Sequence, residues 1–470
     1  SETFGSLYYS APEILRGGER GDRRSDIFSL GAVLYRALTG EVPYGAIKPV
    51  HEVNEEVPER IGDVIMRCLS PDPSERPRLE EVRDRLLEGR RPRVKRWKIE
   101  RVDREIASGV KLAWKAYVGR HNGNPLIFGD RIYLASRGNR IGRADHCDRL
   151  YCFSSNGRLL WYFKSPDGGN TGLYGLVACP DFIAVGCDNG HIYIISHDGE
   201  LIRGFESAGG MVCIGDVDGD GIAEVVESSD NGVYCMGFRG LGWRWVRARE
   251  KGEVSGDAWS PPALGDVDED GRVEVVVGRL DRNIYCMTGK NGDVKWKVEV
   301  GSDIYNSPAI GDVDGEVEVV VGSFESSIFC IRGKDGGVKW RAKTDDLILS
   351  SPALGDVDGD GKVEVIIGDW GGYIYCIDGE SGLMKWKVET DGEVVSSPSL
   401  GDVDGDGRIE VVVGSRDYSV YCIDAENGRI KWRGVTDGEV DSSPALGDVD
   451  GDGKIEIAVA SFDGWLYLFK

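Results

Sequence analysis

At 470 residues the chain is long enough for more than one domain. Its net charge of -23 argues against a general nucleic-acid role, and no apolar run approaches the ~18 residues of a membrane span. It opens at Ser1 rather than Met, in the middle of a motif, so it reads as a fragment, and its lack of a signal peptide carries no message.

Residues 1–88 read as helical. Ser25 to Leu38 is a continuous apolar-rich helix with Asp26 near its start, Thr39-Gly40 at its end and Pro43 beyond. A second helix is expected through Ile61 to Leu69 and a third from Arg78 to Gly89.

Three motifs in this region carry more than composition does. Gly5-Ser6-Leu7-Tyr8-Tyr9-Ser10-Ala11-Pro12-Glu13 resembles the end of the activation segment of eukaryotic-type Ser/Thr protein kinases. Ser25-Asp26-Ile27-Phe28-Ser29-Leu30-Gly31 resembles that family's buried central helix, and Cys68-Leu69 through Pro71, Pro73, Arg76 and Pro77 resembles a late stretch of its C-terminal lobe. The resemblance implies roles by position. Ser6 matches the hydroxyl residue that shapes the substrate site, Glu13 the acid that pairs with a late Arg, here Arg76, and Asp26 the residue that holds the catalytic-loop backbone. The family's Gly-rich loop, β3 Lys, catalytic-loop Asp and Asn and metal-binding Asp all precede Ala-Pro-Glu. None is present here, so this chain alone is expected to be inactive, with ATP and Mg²⁺ belonging to a full-length parent.

Residues 89–110 carry eight Lys or Arg against three acids and read as a basic linker. From Val110 the composition changes. The core Gly-Asp-Val-Asp begins at Gly215, Gly265, Gly311, Gly355, Gly401 and Gly447, at spacings of 50, 46, 44, 46 and 46 residues. Such a period marks a supersecondary unit that buries its faces against its neighbours. Within one unit, Ser350–Leu354, Val363–Gly368, Tyr373–Ile377 and Leu383–Val388 read as four strands separated by turns. Four antiparallel strands per forty-odd residues make a propeller blade. Third-strand aromatics fall at Tyr151, Tyr193, Tyr234, Tyr285, Phe329, Tyr375, Tyr421 and Tyr467, giving eight blades over residues 111–470. Lys111-Leu112-Ala113-Trp114-Lys115 reads as a spare fourth strand, and the last blade lacks one, so the termini are expected to pair and close the ring. The fold expected is mainly β, an eight-bladed β-propeller preceded by a small α-helical kinase C-lobe fragment.

The Asp-Gly-rich, Trp-bearing repeat ends resemble quinoprotein-type (PQQ-like) propeller repeats, and the acidic loops resemble the FG-GAP repeats of integrin α-chains. No vicinal Cys pair accompanies them, so PQQ itself is not expected.

The acidic loops are the chemical signal. Asp at positions 1, 3 and 5, Gly at 6 and Glu at 9 gather hard oxygens around one point, which suits Ca²⁺. The intact sets are Asp216, Asp218, Asp220 and Glu224; Asp266, Asp268, Asp270 and Glu274; Asp356, Asp358, Asp360 and Glu364; Asp402, Asp404, Asp406 and Glu410; and Asp448, Asp450, Asp452 and Glu456. The loop at Asp312 is two residues shorter and has lost its third Asp. The alternatives are Mg²⁺, an empty site, or an Asp/Gly turn that only caps its own backbone.

Eleven cysteines, six of them in one register (Cys152, Cys235, Cys286, Cys330, Cys376 and Cys422), read as buried thiols in a reducing compartment, hence a cytoplasmic protein. His146-Cys147 between Asp145 and Asp148 reads as a solvated loop rather than a metal site.

The acidic loops all join first to second strands and share one face of the disc. The opposite face varies between blades and offers Trp259, Arg279, Arg282, Tyr305, Phe324, Trp370, Arg416, Tyr418 and Phe462 as ligand-face residues for a protein or peptide partner. The reading is the C-terminal part of a Ser/Thr protein kinase with a calcium-binding propeller as sensor or interaction module. The alternative is a non-catalytic, Ca²⁺-stabilised scaffold with a vestigial kinase tail.

Overall fold

The computed structural model describes residues 11–15, 23–43, 47–54, 57–79, 81–82, 99–107, 110–119, 122–136, 149–166, 172–187, 189–207, 210–237, 242–248 and 259–470. Ser6, most of the expected third helix, Gly89 to Lys98 and His146-Cys147 lie outside them. The chain divides into two compact units, Ser1–Arg96 and Trp97–Lys470. No helix among the described residues is long and apolar enough to cross a membrane.

The first unit is helical: α1 (Pro12–Leu15), α2 (Arg23–Thr39), α3 (Val50–Val53) and α4 (Glu59–Cys68). Helix α2 buries Ile27, Phe28, Gly31, Ala32 and Tyr35, one stripe at 3.6-residue spacing. Against that stripe pack Ile65, Cys68 and Leu69. A side chain at Gly31 would stand 2.5 Å from Cys68 Cβ, so glycine permits the close crossing of α2 and α4. Gly40, at φ 75°, ends α2 in the left-handed conformation that glycine adopts without strain.

Among the described residues the second unit forms eight antiparallel sheets, seven of four strands and one of five. The repeat strands form where alternation and β-branching placed them: Ala353–Gly355, Glu364–Gly368, Tyr373–Asp378 and Met384–Glu389 in the sixth blade. The second strand is buried along its whole length, which explains its unbroken apolar run. All eight expected third-strand aromatics lie on third strands. The six cysteines of shared register follow them and are fully buried free thiols.

The eighth blade closes the ring. Its third strand, Trp465–Phe469, pairs with Val110–Tyr117, and the backbones of Lys470 and Lys111 exchange hydrogen bonds of 2.7 and 2.8 Å. One expectation needs correcting. Residues 99–107 are not linker but a fifth strand, Ile99–Ala107, on the outer edge of Val110–Tyr117. Its apolar residues Ile99, Val102 and Ile106 fall three and four apart rather than two, because register shifts interrupt its pairing, and that spacing together with the basic composition masked it. Val102 and Ile106 pack on the closing blade.

The recurring tryptophans bracket one blade to the next. Trp340 Nε1 donates to Gly379 O at 2.6 Å, and its ring lies over Gly382, where an added Cβ would meet Cδ2 at 2.8 Å. Trp114, Trp161, Trp245, Trp296 and Trp386 donate likewise to backbone oxygens of the following blade. Gly382→Ala meets both the ring and a φ of 71°. Gly359→Ala meets only a φ of 76° with open space around it. Thermal unfolding should show a loss of about 2–4 kcal/mol for the first and about 1–2 kcal/mol for the second. Equal losses would mean that the bracket contributes nothing beyond backbone strain.

Candidate functional site

The acidic loops follow first strands, on one face of the disc. In the sixth blade Asp356 turns both carboxylate oxygens onto its own loop, accepting from Gly359 N at 2.8 Å and Gly361 N at 3.0 Å. Asp360 accepts from Lys362 N at 2.8 Å, and Glu364, at the foot of the loop and fully buried, accepts from Val357 N at 3.0 Å. Left-handed Gly359 and Gly361 make the turn tight enough for these bonds. The loops of Asp216, Asp402 and Asp448 repeat the pattern, while Asp266, whose loop has Glu269 in place of the first glycine, accepts from Asp270 N and Gly271 N. The self-capping alternative therefore holds for the backbone of every loop, and it leaves further carboxylate oxygens free to converge.

They do converge. In five loops three carboxylate oxygens lie within 4.8 Å of one another: Asp216, Asp218 and Asp220; Asp266, Asp268 and Glu274; Asp356, Asp358 and Asp360; Asp402, Asp404 and Glu410; Asp448, Asp450 and Glu456. These hard oxygens at short range fit a divalent cation such as Ca²⁺. The shortened loop of Asp312 and Asp314 is not among them.

Sequence reasoning missed one member of each cluster, a cation that sits on the fourth strand in five blades and just past the third strand in the closing one. Lys385 Nζ reaches Asp358 Oδ2 at 2.5 Å and Glu364 Oε1 at 2.9 Å. Lys295, Lys339 and Lys431 make the same bridges, and Arg244 and Lys470 serve the loops of Asp216 and Asp448. The available signal was the Lys-Trp dipeptide 21 residues after the loop glutamate in four blades. Burial, with Asp218 beside it, pushes Glu224 up to about 7. Burial also raises Glu364 despite its bond to Lys385. Burial pulls the Lys385 ammonium down, but the bonds to Asp358 and Glu364 outweigh it and the net shift is upward. The cation therefore stays charged.

The opposite face gathers four of the proposed ligand residues. Trp259, Tyr305, Phe324 and Trp370, with Leu347, Leu349 and Val395, line an apolar cleft of ≈ 480 Å³. Trp259 is 56% and Phe324 41% exposed, and the ring centroids of Tyr305 and Phe324 are 5.0 Å apart. Backbone bonds from Phe324 N to Asp303 O and from Trp370 N to Leu347 O fix the rings over the mouth. Arg416 stacks 4.6 Å above the Trp370 ring and is held by both oxygens of Asp441 at 2.7 and 2.8 Å. Arg282 and Tyr418 are exposed and Phe462 half-buried, but none lines the cleft. Arg279 is a correction. It is fully buried and donates to Ser228 Oγ and Ser229 O, because the turn folds its guanidinium inward onto the preceding blade.

In the helical unit, Arg76 and Glu13 form the pair expected of them, with Nη1–Oε1 at 2.6 Å and Nη2–Oε2 at 2.8 Å. The Arg76 side chain is fully buried, and its hydrogen bond holds Glu13 down at about 2. Asp26 is exposed in the first turn of α2, apart from that pair.

The protein kinase domain matches residues 1–86, and FG-GAP-like repeats match 216–277 and 402–459. This chain joins a protein kinase domain segment to an eight-bladed propeller with FG-GAP-like repeats. Over 92 residues it is 35% identical to a probable serine/threonine-protein kinase of Dictyostelium discoideum, covering 17% of this chain and 7% of that protein. Over 90 residues it is 34% identical to a probable serine/threonine-protein kinase of Clostridium acetobutylicum, covering 16% of this chain and 14% of that protein. The kinase-like segment thus spans a small fraction of these relatives. The propeller is similar in fold to BamB from Moraxella catarrhalis, with a TM-score of 0.56 at 14% identity over 77% of this chain and 97% of that one. It is similar also to a europium-containing methanol dehydrogenase, with a TM-score of 0.59 at 12% identity over 79% and 95%. At such identities the likeness is one of fold alone.

Proposed function

We propose that this chain is part of a cytoplasmic Ser/Thr protein kinase whose propeller, stiffened by Ca²⁺ in its acidic loops, docks a protein or peptide and so directs or senses for the kinase. ATP, Mg²⁺ and phosphoryl transfer belong, on this reading, to the complete protein. The observation that carries the docking role is the aromatic cleft. Aromatic side chains held half-exposed on a rigid scaffold are what binding hot spots are made of. Carboxyl-bearing residues flank its lining in sequence: Asp303 and Glu325 beside Tyr305 and Phe324, Asp346 beside Leu347, and Glu393 before Val395. Glu439 and Asp441 stand beside Arg416, whose charge they already offset. The partner that this chemistry favours is a basic peptide segment with one apolar or aromatic anchor for the cleft.

The test is a library of Lys/Arg-rich peptides with a single Leu, Phe or Trp, screened by fluorescence anisotropy. The Trp370→Ala/Arg416→Ala double variant should bind the best peptide at least tenfold more weakly. Lys362→Ala, on the loop face, should bind it as the parent does. Binding lost in the second and kept in the first puts the partner on the other side of the disc.

A further inference from the structure

Every fourth strand that follows an acidic loop in the third to seventh blades carries its cation at a β-bulge. In the sixth blade Cys376 pairs with Trp386 and Ile377 with Met384, which leaves Lys385 as the extra residue. The same register shift leaves out Arg244, Lys295, Lys339 and Lys431. A bulge bends the strand and re-aims the side chain it frees, and here each freed side chain reaches the residue-3 Asp and the buried Glu of its own blade's loop.

The other three blades supply controls within one molecule. The first and second blades have no acidic loop, and their bulged residues are Leu160 and Ile202, which are 41% and 47% exposed. The closing blade has an acidic loop, yet its bulged residue is Ala113. There Lys470, one residue past the end of the third strand, brings its ammonium to Asp450 and Glu456. The shortened loop has lost its third Asp but keeps Lys339 on Asp314 and Glu318. Six acidic loops have six such cations, and the two blades without the loop have an apolar residue at the bulge.

We infer that this fourth-strand (in the closing blade, C-terminal) Lys or Arg is a tethered counter-ion: it holds each acidic loop together without metal and sets, by competition, how tightly a divalent cation binds there. Four carboxylates around one tethered positive charge leave a net charge near -3 for the metal, and removing the tether adds one more negative charge to the cluster. The shortened loop runs on its ammonium alone. The competitive half of this inference rests on the calcium reading of the loops, and the counter-ion half does not.

The experiment compares Lys385→Met, Lys385→Arg and Lys339→Met in the full chain. It reads metal-free melting temperature by Trp fluorescence and Ca²⁺ affinity by calorimetry. Lys385→Met keeps the length of the side chain and removes its charge. It should melt lower than the parent in chelator and add a site that binds Ca²⁺ at least tenfold more tightly than the equivalent parental loop. Lys385→Arg should match the parent in both. Lys339→Met should melt lower than the parent by the same margin with and without Ca²⁺. Parental melting and affinity in Lys385→Met, or weaker Ca²⁺ binding there, overturns the inference. If no variant, nor the parent, binds Ca²⁺, the metal reading of the loops fails. In that case lowered melting in both Met variants, with none in Lys385→Arg, still supports the counter-ion.

Discussion

Replacing Arg76 by Met should cost the helical unit about 3–5 kcal/mol, because it strands a partly buried carboxylate without its cation. Arg76 spends every polar atom inside the fold. It donates to both oxygens of Glu13, to Arg24 O at 3.0 Å and to Ser70 O at 2.9 Å, and it lies 5.0 Å over the ring of Phe28. Methionine replaces only the packing on Phe28. Glu13 then keeps the hydroxyl of Ser25 at 3.1 Å and its own backbone N–H, both uncharged donors. The loss depends on pH in a defined sense. Glu13 is depressed from 4.5 to about 2, so its stabilising contribution is complete above pH ~4.5 and is lost as pH falls through about 2. The gap between parent and variant should therefore narrow between those values. Circular dichroism at 222 nm follows the helices, while Trp fluorescence follows the other unit, since no Trp precedes residue 97. Adding Glu13→Gln to Arg76→Met should recover part of the loss. A helical melt indifferent to Arg76→Met, or a gap that persists undiminished to pH 2, rejects this account.

The fold was legible because its determinants are local and repeated. Alternation at Tyr373–Ile377, the β-branched run at Val363–Gly368 and the Asp-Gly turns each fix one strand or turn, and the period multiplies them. The count of eight followed from single aromatics at one register. The edge strand Ile99–Ala107 was hidden because the lysines and arginines around it dominate the composition, whereas Val102 and Ile106 declare themselves only against the closing blade. The same limit applies at the candidate sites. Asp356, Asp358, Asp360 and Glu364 lie within nine residues, so their convergence is written in the spacing. Lys385 lies 21 residues beyond Glu364, and only the strand register and its bulge bring it back. Arg279 shows the converse: in sequence it is one more turn residue, and only the neighbouring blade, through Ser228 and Ser229, draws it inward.

Calcium should raise the propeller's melting temperature and chelator should lower it, with the largest effect of any condition proposed for this molecule. A ligand bound only by the folded state adds RT ln(1 + [L]/Kd), about 2.7 kcal/mol per site at a hundredfold excess over Kd. Five loops with converging carboxylates would together contribute on the order of 10 kcal/mol if they bind alike. Mg²⁺ should do less, because it demands near-octahedral geometry and gives up water reluctantly. Asp358→Ala removes a carboxylate that the loop shares between Asp360 N and Lys385, and should take away one loop's share while sparing the rest. Asp314→Ala lies in the loop that lacks its third Asp, and should leave the calcium-dependent rise unchanged while lowering the metal-free melting point through loss of the Lys339 bridge. Calorimetric melts in matched calcium and chelator buffers measure all of these. A melting temperature that ignores both additions shows that the loops hold their shape with backbone caps and tethered cations alone.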